Sequence, residues 1–185
     1  VLSGCGTHIE YHGREVLSKK VEGELLARSV QMFYDYDMPM VMEGRDMLFM
    51  DADIISRDGY GRFLLEVMKD YIEPIRDNRK NWEVSKFSVL IGGTNYREVI
   101  EALKDDYEFL VHGDIVMEVV PKGYSKATGI AAVCDLLGVD RKDTCAFGDS
   151  ANDLDMLDYV GTGIVMGNGT DVAKKPAHYL TDDIN

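Results

Sequence analysis

Hydrophobic and polar positions follow two different patterns along this chain. From about residue 120 onward, short apolar runs alternate with segments whose apolar residues recur every three or four positions. Short continuous apolar runs are typical of strands buried on both faces, and the longer period is typical of helices that cover such strands. Residues 120–185 are therefore predicted to form a parallel β-sheet with helices packed on it.

The elements of this region follow from the same pattern. In chain order they are a helix over 125–137, a strand over 144–147, a helix to about 159, a strand over 163–166 and a helix from 171 to about 176. In the first helix, Ile130, Val133, Leu136 and Leu137 have the spacing of an inward face, and Gly138 ends the pattern.

Residues 17–119 show a different order of elements. They are a helix over 18–34, strands over 38–42 and 47–50, a helix over 59–71, a loop over 72–82, a strand over 87–91, a helix over 94–104, and strands over 109–112 and 115–120. This order predicts a largely antiparallel sheet with helices on one side, which is an α+β arrangement. Before it, the pattern predicts a strand over 1–10 and a hairpin.

Composition narrows the classes of function. The net charge is -13, and the sequence has no cluster of Lys and Arg that would form a positively charged patch. Both features argue against binding to nucleic acid or to an anionic membrane. The three cysteines form no CxxC pair, so a reducing cytoplasm is the simplest setting. Cys134 and Cys145 lie in apolar segments and are expected in the core. The oligomeric state stays open.

The clearest candidate for chemistry is the stretch from Gly148 to Asp153, Gly-Asp-Ser-Ala-Asn-Asp. Asp149 follows a predicted buried strand, and ligands bind at that edge of an open parallel sheet. Asp153 falls in the first turn of the next helix, where a negative charge is favoured. Two carboxylates four residues apart, with Asn152 beside them, suit Mg²⁺ that keeps part of its water shell. The competing interpretation is a surface turn in which Asp caps a helix.

A second acidic stretch, Asp51-Ala52-Asp53, follows an apolar run and has the form of a phosphotransfer nucleophile motif. Ile54 and Ile55 follow it, where that motif needs a Gly-Thr turn. We interpret the stretch as the end of a hairpin and a helix cap, and not as catalytic.

These motifs resemble those of the haloacid dehalogenase (HAD) superfamily, and more narrowly the Cof-type hydrolases with a type IIB cap. The resemblance rests on the Gly148 motif, on Gly-Tyr-Ser-Lys ending at Lys126, and on the strand from Gly163 to Gly167. It implies an α/β fold, in which a HAD-like parallel-sheet core without its N-terminal strands carries an inserted α+β cap domain. The implied divisions are 1–16 (core, leading into the cap), 17–119 (cap) and 120–185 (C-terminal part of the core).

The resemblance also implies roles for individual residues. Lys126 would neutralise charge on a phosphoryl group, Asp149 and Asp153 would hold Mg²⁺, and Asn152 would face the phosphate. Asp153 would hold either a metal-bound water or Lys126. A lysine at a helix start is electrostatically unfavourable, which favours a functional explanation for Lys126 over a solvent-facing one.

One departure from the family pattern concerns the reaction itself. The family's Asp-x-Asp-Gly-Thr motif, which carries the nucleophile, and its Ser/Thr motif are absent and are expected before Val1. The implied function is therefore a Mg²⁺-dependent phosphatase of small phosphorylated metabolites acting through an aspartyl phosphate, with this 185-residue stretch inactive alone.

Two alternatives remain open. P-type ATPases share the Gly-Asp-x-x-Asn-Asp motif, and that interpretation expects membrane helices. The other alternative is a non-catalytic binding module with a vestigial site.

Overall fold

The computed structural model describes residues 1–51, 59–75 and 82–182. The chain divides into two compact units. The split unit consists of residues 1–16 and 124–185, and the inserted unit consists of residues 17–123. In the part of the chain that is described, no helix combines the length and apolar character needed to cross a bilayer.

Strands and helices are numbered separately, in chain order. The strands are β1 Leu2–Ser3, β2 His8–Tyr11, β3 Arg14–Ser18, β4 Met40–Glu43, β5 Leu48–Met50, β6 Ile72–Pro74, β7 Lys86–Leu90, β8 Tyr107–His112, β9 Val116–Pro121, β10 Cys145–Gly148, β11 Thr162–Val165 and β12 Tyr179–Leu180. The helices are α1 Gly23–Asp35, α2 Gly59–Met68, α3 Tyr96–Leu103, α4 Lys126–Leu137, α5 Leu154–Tyr159 and α6 Asp171–Lys174.

Among the described residues of the inserted unit, the strands form one sheet, with the order β6-β5-β4-β7-β9-β8. Its neighbours are antiparallel except for β5 and β6, which are parallel. Phe33 of α1 and Leu103 of α3 belong to the main core cluster, together with Phe87 from the sheet. Leu64 of α2 packs with Val41 in a second cluster.

Helices therefore cover both faces of this sheet, and the prediction of helices on one side was wrong. Val41 alternates along β4 with Met40 and Met42, which belong to the main core, so α2 lies on the opposite face from α1 and α3. Because β4 is buried on both sides, its residues are apolar on both faces. The sequence pattern therefore could not show whether helices cover one face or both.

Two boundaries in this unit also differ from the prediction. The first helix begins at Gly23 and not at residue 18, because Val21 is extended and its amide donates to the carbonyl of Val84 (2.7 Å). Residues 72–74 form a strand within the predicted loop. Pro74 is compatible with that strand because β6 lies at the edge of the sheet, where no ladder donor is needed on one side.

The stretch from Asp51 to Asp53 lies largely outside the described residues. Asp51 itself is buried, and its Oδ1 accepts a hydrogen bond from the Tyr34 hydroxyl (3.0 Å).

A chain of polar side chains crosses the face of the sheet opposite the main core. Lys86 Nζ donates to Glu118 Oε2 (2.7 Å) and lies 3.3 Å from Glu43 Oε1. Ser88 Oγ donates to the same Glu43 oxygen (2.6 Å), and His112 Nε2 lies 3.1 Å from Glu118 Oε1. The Lys86 side chain is 11% exposed, and these two carboxylates help to compensate its charge.

The described residues of the split unit form two small sheets. Strands β1, β2 and β3 form one, and the parallel strands β10, β11 and β12 form the other. The predicted single strand over 1–10 was wrong, because Gly4–Gly6 form a turn and β2 returns antiparallel to β1. Gly6 has φ +86°, and a Cβ there would lie 2.1 Å from the carbonyl oxygen of Ser125, so the turn packs directly against the start of α4.

One face of the parallel sheet is covered. Leu157 of α5 and Ala173 of α6 pack with Val165 of β11. Residues of β10 alternate, so Ala146 is buried whereas Cys145 and Phe147 are exposed. Cys134 is buried as expected, but the expectation for Cys145 was wrong because its side chain points away from the helix-covered face.

The apolar spacing of α4 predicted the end of the helix correctly but not all of its buried residues. The helix ends at Leu137, before Gly138, as the pattern predicts. Leu136 and Leu137, however, are each 44% exposed, so they do not contribute to a buried inward face.

We expect Lys86→Met to destabilise the inserted unit by about 3 kcal/mol, because the substitution leaves two largely buried carboxylates without their cation. The free energy of unfolding can be measured in urea through the fluorescence of Trp82, the one tryptophan, which packs against the core of this unit.

Lys104→Met is the matched control, because Lys104 pairs with Glu101 at the surface and its side chain is 52% exposed. Loss of this exposed pair should change the free energy of unfolding by less than about 0.5 kcal/mol. A Lys86→Met variant as stable as the parent would show that the polar chain does not depend on its ammonium group.

Candidate functional site

Asp149 and Asp153 lie just beyond the carboxyl end of β10. The strand ends at Gly148, a short turn follows over Ala151–Asp153, and α5 begins at Leu154. A Cβ on Gly148 would lie 2.7 Å from the Asp153 Cβ. The glycine therefore provides the space in which Asp153 folds back over the end of the strand.

Backbone amides hold one oxygen of Asp153. The amide of Asp149 donates to Oδ2 (2.9 Å), and the amide of Ser150 donates to the same oxygen (3.3 Å). The Asp153 side chain is 7% exposed, so these donors replace the water that the carboxylate loses on folding.

Lys126 holds the other oxygen. Its Nζ donates to Asp153 Oδ1 (2.5 Å) across 27 residues of sequence. Lys126 is the first residue of α4, and Ser125 caps this helix by accepting from the Thr128 amide (3.2 Å). The predicted pair of Lys126 and Asp153 is thus brought together by the ends of two separate elements.

The pKa of Asp153 reflects opposing causes. Burial raises it, but the hydrogen bond from Lys126, the amide of Asp149, the charge of Lys126 and the amide of Ser150 lower it. The net result is a pKa below the usual value, so the carboxylate is ionised at neutral pH.

Asp149 is placed differently. Its side chain is exposed, and its carboxylate has no hydrogen-bond or ion-pair partner among the residues that the structure describes. Its backbone is held firmly, since its carbonyl accepts from the Thr170 amide (2.8 Å). Asn152 lies in the turn beside it, where its Oδ1 accepts from Ser150 Oγ (2.6 Å).

The donor set is compatible with Mg²⁺ at Asp149. Mg²⁺ is commonly held by one or two carboxylates together with waters and substrate phosphates. Both oxygens of Asp153 already accept hydrogen bonds from protein groups, so Asp149 is the carboxylate open to direct coordination. In residues 1–51, 59–75 and 82–182, no group of three or more His, Cys, Asp or Glu is arranged to hold a metal by itself.

Asp155 lies next to the candidate site, and the sequence analysis did not single it out. Its Oδ2 accepts from the backbone amide of Ala127 (3.2 Å), next to Lys126. The available signal was an additional acid in the first turn of α5, but nothing in the local pattern indicated which distant segment it contacts.

Comparison with known proteins identifies the family. The family model described as haloacid dehalogenase-like hydrolase matches residues 1–185. The chain belongs to this family. The predicted membership is therefore confirmed.

Two of the similar proteins are named as a phosphatase or a putative phosphatase. The putative phosphatase YkrA of Bacillus subtilis is 36% identical over 99 residues, which are 54% of this chain and 38% of that protein. The 5-amino-6-(5-phospho-D-ribitylamino)uracil phosphatase YitU of Bacillus subtilis is 44% identical over 66 residues, which are 36% of this chain and 24% of that protein. The matched stretches thus span less than half the length of either phosphatase.

Solved structures confirm the predicted HAD-like α/β fold. A haloacid dehalogenase-like hydrolase from Bacteroides thetaiotaomicron superposes with a TM-score of 0.75 at 21% identity, over 92% of this chain and 65% of that one. A sugar phosphatase of HAD subclass IIB superposes with a TM-score of 0.72 at 19% identity, over 97% of this chain and 68% of that one.

We expect Asp153→Asn to destabilise the split unit by about 2 kcal/mol at neutral pH, because it removes an ionised acceptor of three hydrogen bonds. Because the folded state lowers the pKa of Asp153, the stability it contributes is present above about pH 4 and is lost as the pH falls through the lower, folded-state pKa. The difference between parent and variant should therefore shrink in acid.

Urea unfolding, followed through the amide signals of β10 and β11, can measure this difference at several pH values. Asp158→Asn on the same helix is the control, because its exposed side chain should change stability by less than about 0.5 kcal/mol. A difference that stays constant from pH 7 to pH 2 would contradict the ionised role of Asp153.

Proposed function

We propose that this chain forms most of a Mg²⁺-dependent phosphatase of small phosphorylated metabolites, such as sugar or nucleotide phosphates. The observation that carries the proposal is the ion pair of Lys126 and Asp153 beside the open carboxylate of Asp149. Phosphoryl transfer is catalysed largely by positioning and by stabilising charge on the transferred group, and this edge of the sheet offers both signs of charge. The names of the relatives support phosphatase chemistry.

Each residue has a defined task in this proposal. Asp149 would hold Mg²⁺, which when bound supplies Lewis-acid stabilisation of charge on the phosphoryl oxygens. Lys126 would donate to those oxygens, while the ionised Asp153 orients its ammonium group. Asn152 would donate from its amide to the phosphate. Asp153 would also accept from a metal-bound water, as an outer partner and not as a direct ligand.

The nucleophile is proposed to lie on a segment that precedes Val1. An aspartate carboxylate there would attack phosphorus while the bond from phosphorus to the substrate's alcohol oxygen breaks and the alcohol leaves. Water would then hydrolyse the aspartyl phosphate, which releases inorganic phosphate and restores the carboxylate. Three observations support such a segment. The motif Asp-x-Asp-Gly-Thr does not occur in the 185 residues. Within the described chain, β10 lies at the edge of its sheet, and Phe147 on it is 58% exposed. A further strand beside β10 would pair that open edge.

The inserted unit is proposed to act as a cap that selects the substrate. Caps of this kind exclude water and contribute substrate contacts. Because YitU is named for a phosphorylated ribitylaminouracil, that compound belongs in the first panel of substrates beside sugar and nucleotide phosphates. We propose no nucleic-acid or membrane partner, in keeping with the net charge of -13, and a cytoplasmic location.

We expect the 185-residue chain to show no turnover of an aryl phosphate with Mg²⁺, and the chain extended by its upstream coding sequence to be active. In the extended enzyme, Asp149→Asn should lower activity by roughly 100-fold or more, because it removes the proposed metal ligand. Asp158→Asn is the control and should leave activity unchanged.

Either of two results would contradict the proposal. Turnover by the short chain that persists through purification and disappears in Asp149→Asn would show that no upstream nucleophile is needed. An extended chain that folds but hydrolyses no compound in the panel would favour a non-catalytic binding module.

A further inference from the structure

Two acids from one short segment hold the first turn of α4. Asp153 contacts it through the side chain of Lys126 (2.5 Å), and Asp155 contacts it through the backbone amide of Ala127 (3.2 Å). The second oxygen of Asp155 accepts from the Met156 amide (2.8 Å), which fixes the orientation of the carboxylate. The two contacts fall on adjacent residues of α4.

The start of α4 has an electrostatic requirement that Asp155 meets. The first amides of a helix have no partner within the helix. Ser125 accepts from the amide of Thr128, and Asp155 accepts from that of Ala127. A cation such as Lys126 is unfavourable at a helix N-terminus, whereas a carboxylate is favourable there. Asp155 therefore offsets the cost of placing an ammonium group at this position.

We infer that Asp155 is a positioning residue that sets the location of Lys126 relative to Asp153. Both of its oxygens accept from backbone amides, so it acts through the helix start and not on a substrate. The effect of Asp155 on the position of Lys126 does not depend on the proposed function, whereas any effect on catalysis rests on it.

A simple capping role would have different consequences. A cap that only stabilises α4 would leave the contact between Lys126 and Asp153 intact in a folded variant. A positioning residue would instead make the strength of that contact depend on residue 155. The two roles are therefore distinguished by whether substitutions at 126 and 155 act independently on stability.

The experiment is a double-mutant cycle with Lys126→Met and Asp155→Ala in the 185-residue chain. Urea unfolding is followed through the amide signals of β10 and β11. Lys126→Met should change the unfolding equilibrium constant roughly 30-fold in the parent and less than about 3-fold in the Asp155→Ala background. Asp158→Ala, on the same helix with an exposed side chain, is the matched background and should leave the 30-fold effect intact.

A spectroscopic signature provides the second measurement. In chain labelled with ¹⁵N-lysine, the Lys126 ammonium signal should be protected from exchange in the parent and in Asp158→Ala, and lost in Asp155→Ala. Asp155→Asn keeps a hydrogen-bond acceptor without the charge, and it should retain part of the protection. Additive effects in the cycle, or a Lys126 signal unchanged in folded Asp155→Ala, would overturn the inference.

Two further arms keep the test decisive. If Asp155→Ala does not fold, Asp155→Ser replaces it, because its shorter side chain places the oxygen farther from Ala127. In the active extended enzyme, Asp155→Ala should lower kcat roughly tenfold with a smaller change in KM. If the extended chain has no phosphatase activity, the proposed function fails, while the cycle and the ammonium signal still decide the role of Asp155.

Discussion

The structure of the site depends on one ion pair between Lys126 and Asp153. A carboxylate that is 7% exposed is costly to keep ionised unless a cation and hydrogen-bond donors replace its water. Lys126 and the amides of Asp149 and Ser150 meet that requirement together. Because those donors come from α4 and from the turn after β10, satisfying one buried charge also joins two elements that are distant in sequence. Asp149 stays open beside the pair.

Steric constraints let this pair form. Asp153 can lie over the end of β10 only because Gly148 has no side chain, and the turn at Gly6 can approach Ser125 for the same reason. Gly6 lets the backbone of its turn approach the start of α4, and Gly148 leaves room for Asp153, which pairs with Lys126 at the start of the same helix. The same positions that look like simple turn residues therefore determine where the charged groups of the site meet.

In the inserted unit, the buried charge of Lys86 is compensated by side chains on neighbouring strands. Lys86 lies between Glu43 and Glu118 on a sheet face, and all three come from strands whose register fixes their separation. In the split unit the compensating groups come from helix and turn ends, where backbone amides are available as additional donors. The proposed chemistry falls on the split unit because Lys126 would donate to a phosphoryl group there and Asp149 would hold the cation that offsets its charge.

The sequence by itself indicated the family, the edge of β10 as the candidate site, and the candidates Lys126, Asp149 and Asp153, because strand ends and caps leave local signals in residue type and spacing. Only the tertiary structure decided the contact of Asp155 with Ala127, the exposure of Cys145 and the sharing of the Asp153 oxygens. Periodicity shows that a segment has an apolar face, but segments far away in the chain decide what covers that face and which donor reaches each acid.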